Sequence, residues 1–265
     1  MMQEIKNLFR HRYLIIELVK KDLKSKYIGS KIGMFWSVFF PLARLLTFIF
    51  VFSAILKVRF DDKEGITNFA LYMICGMLPW FFFQQAIVRS ETVLLENANM
   101  VKYIIFPTKI FPFYVTISSL IDMIIGFIFF TLAVGFVMHT INIFTIPFVL
   151  IIIVLQFVFT MGFSWIFATL NILIRDTFHI VDLSLMIWMY LTPIFYPENM
   201  IPMWAKSIVT INPMAYFVRY YREIYFKNRF PDVSEIMIFF AISLALFFIG
   251  YYMFKKNQGK FADLI

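Results

Sequence analysis

Residues 146–173 read IPFVLIIIVLQFVFTMGFSWIFATLNIL, Ile146 to Leu173, with no Asp, Glu, Lys or Arg from end to end. About 20 apolar residues cross the hydrocarbon core of a bilayer as a helix, so this stretch reads as a membrane span. Working outward, Ile236–Phe254 repeats the pattern, Phe111–Met138 repeats it around one carboxylate, Asp122, and Leu45–Leu56 repeats it just after one cation, Arg44. Hydrophobic residues make up 62% of the chain and charged residues 15%, with a mean hydropathy of +0.82. Soluble domains hold about 45–50% apolar residues, so the fold class is an all-α integral membrane protein.

Windows of about 19 residues place six spans near 33–56, 68–88, 110–138, 146–171, 178–196 and 235–254. The division expected is a cytoplasmic interface helix over 1–32 and a transmembrane domain over 33–265. Six spans put both termini on one side. Lys and Arg number eight before residue 33, three in 89–109, one at Arg175 and three after 254, which makes 15 on that side against 8 on the other. Basic flanks resist translocation, so both termini are expected in the cytoplasm. No cleaved signal peptide is expected, because the first apolar segment is long enough to span.

The connection 197–234 breaks the pattern. It holds five of those 8 basic residues, the breakers Pro197, Pro202 and Pro213, and the rings Tyr216, Phe217, Tyr220, Tyr221, Tyr225 and Phe226. Two short re-entrant or interfacial helices between spans five and six reconcile charge with topology. Before the first span, Ile5, Leu8, Phe9, Ile16, Val19, Leu23 and Tyr27 recur at helical spacing beside a cluster of lysines. That is a basic amphipathic helix lying against membrane lipid, and its apolar stripe argues against a nucleic-acid partner.

The single cysteine, Cys75, lies in an apolar stretch and reads as a small buried hydrophobe. His11, His139 and His179 are scattered without ligand spacing, so no metal site is expected. No catalytic residues and no Gly-rich phosphate loop are recognised: Gly259-Lys260 lacks the upstream glycine. Any ATP-driven work needs a separate motor.

Arg44 and Asp122 lie at comparable depths in their spans. A buried charge is costly alone, so the two form an expected structural ion pair. Alternatively, the Arg44 guanidinium faces a conduit and meets a phosphate group. Sugar rings pack on aromatic faces, and aromatics are 20% of the chain. Trp36, Trp80, Trp188, Tyr190 and Tyr196, with Arg44, are the candidate substrate-path residues.

The string Lys21-Asp22-Leu23-Lys24-Ser25-Lys26-Tyr27-Ile28-Gly29-Ser30-Lys31-Ile32-Gly33-Met34-Phe35-Trp36-Ser37 resembles the start of the membrane subunits of polysaccharide-exporting ABC transporters. Those are the O-antigen, capsule and teichoic-acid permeases of the type-2 exporter class. Gly76-Met77-Leu78-Pro79-Trp80, Phe106-Pro107, Asn171-Ile172-Leu173-Ile174-Arg175-Asp176, Pro193-Ile194-Phe195-Tyr196 and Asn212-Pro213-Met214 continue the likeness in order. Lys21 and Lys26 stand where the family usually has Arg, which loses the planar fork.

The resemblance implies the transmembrane half of an exporter that moves a lipid-linked polysaccharide across the bacterial inner membrane. It pairs with a second copy of itself and with two copies of a separate ATPase that binds ATP and Mg. Asp22, Lys26 and Tyr27 on the interface helix, and Glu96, Met100, Lys102 and Tyr103 in a coupling segment at 92–105, are then expected to meet the ATPase. The competing readings are an integral-membrane glycan or lipid transferase and a permease for small molecules or lipids.

Overall fold

The computed structural model describes residues 11–25, 39, 43, 46–47, 50–55, 69–103, 107–138 and 145–265. Among them every regular element is helical: α1 (Arg12–Ser25), α2 (Phe69–Glu96), α3 (Ala98–Tyr103), α4 (Ile110–Met138), α5 (Ile146–Leu173), α6 (Thr177–Leu191), α7 (Met203–Ile211), α8 (Pro213–Lys227), α9 (Val233–Asn257) and α10 (Phe261–Leu264), with short 3₁₀ and π turns. Four helical segments in this set are long and apolar enough to cross a membrane, those over 69–96, 110–138, 146–173 and 233–264. The expected first span, 33–56, lies largely outside the described residues.

Three of the spans expected from hydropathy change their bounds. α2 continues past residue 88 to Glu96, and the helix expected over 235–254 extends at both ends. The fifth span stops at Leu191, because Thr192-Pro193 turns the chain and a proline cannot continue the hydrogen-bond ladder. Its 15 residues fall short of a full crossing.

α5 packs along α9 and α2, α2 along α4, and α8 against both α2 and α5. The α5–α9 crossing is unusually close: a Cβ on Gly250 would lie 2.1 Å from the Gly162 carbonyl oxygen, so both glycines are required there. The larger core gathers Trp80, Phe82, Phe83, Phe127, Phe130, Phe159, Phe217, Tyr220 and Tyr221. A second core joins Ile15 and Val19 of α1 to Val93 and Leu94 of α2, Val101 of α3, Trp165 of α5, Phe254 of α9 and Phe261 of α10. The two ends of the described chain therefore meet at one end of the bundle, here the α1 end. The buried stripe of α1 runs through Ile15, Val19 and, half-buried, Leu18 and Asp22; Ile16, expected on that stripe, is exposed, one residue off the contacting face.

The two short helices between α6 and α9 form, but they differ from each other. α7 buries no residue and exposes Met203, Trp204 and Ile211, as an interfacial helix would. α8 instead returns into the bundle, where Tyr221 donates to Gln156 Oε1 at 3.0 Å and Gln156 donates to the Pro79 carbonyl at 2.8 Å.

Candidate functional site

At the α1 end, Asp22 ties three helices together. One carboxylate oxygen accepts from Arg89 Nη2 of α2, and the other accepts from Ser118 Oγ of α4 at 2.5 Å. Asp22 was expected to face a partner; it faces the bundle, because it sits one turn from Val19 on the buried stripe. Lys26 and Tyr27 lie outside the described residues. α2 ends where the Asn97 side chain donates to the Val93 carbonyl at 2.8 Å, and α3 follows at once. Glu96, which accepts from Thr92 Oγ1 at 2.6 Å, and Lys102 are exposed, Met100 is half-buried and Tyr103 closes α3. This tip is held from beneath by Val101 in the second core. Asn171 donates to the Glu91 carbonyl at 2.9 Å, Arg175 is exposed, and Asp176 sits at the N-cap of α6 without a side-chain cap bond. The Glu91 carboxyl is fully buried, and neither oxygen has a hydrogen-bond partner among the described residues.

At the far end, Arg222 of α8 is 6% exposed and holds the Thr192–Tyr196 turn. It donates to the carbonyls of Pro193 at 2.6 Å, Ile194 at 2.8 Å and Tyr72 at 3.3 Å, and lies 3.5 Å from the Tyr72 ring centroid. Gly76 makes the room: a Cβ there would sit 3.0 Å from Arg222 Nη2, a group already pinned by its bonds. Asn212 is the companion hub. Its Oδ1 accepts from Trp188 Nε1 at 2.7 Å and from the Met214 amide at 3.0 Å, capping α8, while its Nδ2 donates to Thr192 Oγ1 at 2.9 Å and the Leu191 carbonyl at 3.2 Å. Three of the motifs, 76–80, 193–196 and 212–214, thus converge on one clamp.

The candidate path residues separate. Trp80 is fully buried against Phe83 and Trp188, and Trp188 also packs edge-on to Phe83 and Phe163. Trp80 is a packing residue in this arrangement, while Trp188 stays half-buried. Tyr190 is exposed, and its carbonyl accepts from Tyr196 Oη at 2.9 Å. Tyr196 lines an apolar groove of about 340 Å3 with Leu191, Ile201, Trp204 and Ile208. Trp36 and Arg44 lie outside the described residues, so of the expected Arg44–Asp122 pair only Asp122 is described; it accepts from Gln85 Nε2 at 3.2 Å.

Sequence reasoning missed Arg89, Ser118, Gln156 and Arg222. Arg222 had been counted as a loop cation, although its place in a ring-rich helical stretch was a usable signal of burial. Asp22 and Ser118 are far apart in the chain, and nothing local announced their contact.

Comparison with known proteins agrees with this architecture. Residues 13–226 match the family described as ABC-2 type transporter. The chain is 26% identical to the O-antigen export system permease protein RfbA of Myxococcus xanthus over the full length of both. It is 32% identical to a protein of the same name from Klebsiella pneumoniae over 95% of each chain. It is 20% identical to the polysialic acid transport protein KpsM of Escherichia coli, over 91% of this chain and 92% of that one. With the family pattern matching residues 13–226 and a relative 32% identical over 95% of each chain, this chain belongs to the ABC-2 type transporter family.

Proposed function

We propose that the chain is the non-catalytic membrane half of an ATP-driven polysaccharide exporter in the bacterial inner membrane, assembled as two copies with two copies of a separate ATPase. The observation that carries this reading is the full-length likeness to O-antigen export permeases. The geometry supports the coupling it requires. α1 and the α2–α3 tip share one end of the bundle and one core, and Asp22 links α1 directly to α2 and α4. A displacement delivered by an ATPase at exposed Glu96 and Lys102 is passed to two spans through that core and the Asp22 contact. ATP and Mg belong to the partner.

Both ends of the described chain pack in the same core, which supports termini on one side, and the basic bias of 15 to 8 places that side in the cytoplasm. The far end, with α7 on the surface and α8 re-entering, is then the outer mouth, and Tyr190 and Tyr196 are its candidate path residues. The cargo is a lipid-linked polysaccharide.

The test is co-purification with the ATPase encoded beside this chain, then ATP hydrolysis in lipid nanodiscs with and without lipid-linked glycan from the same cells. A two-plus-two complex stimulated by glycan is expected. A folded chain that binds no ATPase contradicts the reading.

A further inference from the structure

α3 is six residues long, Ala98–Tyr103, and is joined to α2 through a single residue, Asn97. Helices shorter than about 12–15 residues are marginal on their own, so α3 takes its shape and its angle from what it rests on. Its inward side chains are Val101, buried, and Met100, half-buried. Both the end of α2 and α10 pack on α3. Phe261, which opens α10, is fully buried and shares the second core with Val101. Half-buried Ile265 packs against that core as Met100 does, and its amide donates to the Phe261 carbonyl at 3.1 Å, closing the turn.

α10 is founded on a different part of the bundle from α2. The Asn257 side chain donates to the Met253 carbonyl at 2.8 Å where α9 ends, and a 3₁₀ turn over Gln258–Lys260 follows. Phe261 then returns edge-on to Phe254 of α9, with ring centroids 5.0 Å apart. α10 also packs on α5, which is locked to α9 at the close approach of Gly162 and Gly250. The coupling tip therefore has two supports: a covalent one on α2 and a packed one on the α5–α9 pair.

We infer that Phe261 is a positioning residue for coupling: its ring is the strut that sets the angle of α3 against the α5–α9 pair, so that a push delivered at α3 reaches α9 as well as α2 and α4. The coupling role rests on the exporter reading. With the ring in place, α3 cannot tilt about Asn97 without exposing Val101 and Phe261 to water. Without it, the push bends the joint instead of moving the spans. Phe239 of α9 provides the contrast. It is equally a core phenylalanine, 6% exposed, but it packs against Tyr216 of α8, with ring centroids 4.3 Å apart, in the other core.

A spin label on Lys102→Cys in a Cys75→Ala background reads the order of α3 in the full chain in nanodiscs, with neither ATPase nor glycan present. Phe261→Ala makes the label more mobile than in the parent, Phe261→Leu restores most of the order, and Phe239→Ala leaves the label unchanged. The complex with its ATPase then reads coupling. In Phe261→Ala the increment in ATP hydrolysis caused by lipid-linked glycan from the same cells falls about threefold or more, while glycan-independent hydrolysis is kept. Phe261→Leu recovers most of the increment, and Phe239→Ala keeps it despite a comparable fall in unfolding temperature. Val101→Ala opens the same contact from the α3 side, where alanine itself favours helix, and carries both measurements if Phe261→Ala fails to assemble. A label as ordered in Phe261→Ala as in the parent overturns the strut. So does an increment lost equally in Phe261→Ala and Phe239→Ala, since stability alone then accounts for it. A wild-type complex that ignores glycan overturns the exporter reading, and the label then decides by itself whether Phe261 holds α3.

Discussion

Arg89 at the α1 end reaches a carboxylate, Asp22, whereas Arg222 at the far end reaches three backbone carbonyls, those of Tyr72, Pro193 and Ile194. The first pair joins two separate side chains across helices and is reached by water from the Arg89 side, with Arg89 28% and Asp22 10% exposed. The second is enclosed, and its partners are main-chain carbonyls, two in the Thr192–Tyr196 turn and one in α2. A charge-to-charge contact near water contributes modestly and separates easily; a buried guanidinium committed to carbonyls cannot leave without stranding them. The same residue type thus makes a latch at one end and a clamp at the other. That division suits a machine driven at the α1 end while its far end keeps its shape.

The comparison breaks most visibly at the clamp. Arg222→Leu leaves three carbonyls in a dry site and should cost about 3–5 kcal/mol, seen as loss of monodisperse protein after detergent extraction. Arg222→Lys should recover only part of that, because an ammonium lacks the planar fork. Asn212→Ala comes next. It removes the α8 cap and strands Trp188 Nε1, for a loss of about 2–3 kcal/mol measured by thermal unfolding in detergent.

The latch should respond the other way, in activity more than stability. Asp22→Asn is expected to cost about 1 kcal/mol or less while cutting glycan-stimulated ATP hydrolysis several-fold with the complex still assembled. The swapped pair Asp22→Arg with Arg89→Asp should restore part of the stimulation, and equal stability losses at latch and clamp would erase the distinction drawn here. The smallest effect belongs to Asp232, the exposed N-cap of α9. Its carboxyl lies below the usual range because the Ser234 hydroxyl and amide donate to it. A depressed carboxyl contributes above its unfolded value, about 3.9, and the contribution disappears as pH falls through the lower folded value. Asp232→Ala should therefore lower Tm by no more than about 2 °C at pH 7 and by less near pH 3.

The long elements were legible because hydropathy over Ile110–Met138 and Ile146–Leu173 is set by lipid, a solvent the sequence must match locally. Pro213, read from the sequence only as a breaker, opens α8 directly behind the Asn212 cap, although a cap followed by proline is a local helix-start signal. What else escaped was decided by contacts distant in the chain. Arg222 read as a loop cation until Gly76 and the Pro193 turn were seen to enclose it, and Asp22, known only through the family resemblance, gave no local sign of Ser118 beneath it. Trp80 carried the aromatic chemistry expected of a sugar path, yet packing against Phe83 and Trp188 turned it inward.

Transport itself is the most direct test. Inverted vesicles carrying this chain and its ATPase, preloaded on the outer face with lipid-linked glycan, are given ATP and then a glycosidase that cannot cross the membrane. The account predicts that ATP shelters the glycan only when both proteins are present. Shelter that forms without the ATPase, or none with a fully assembled complex, would contradict it.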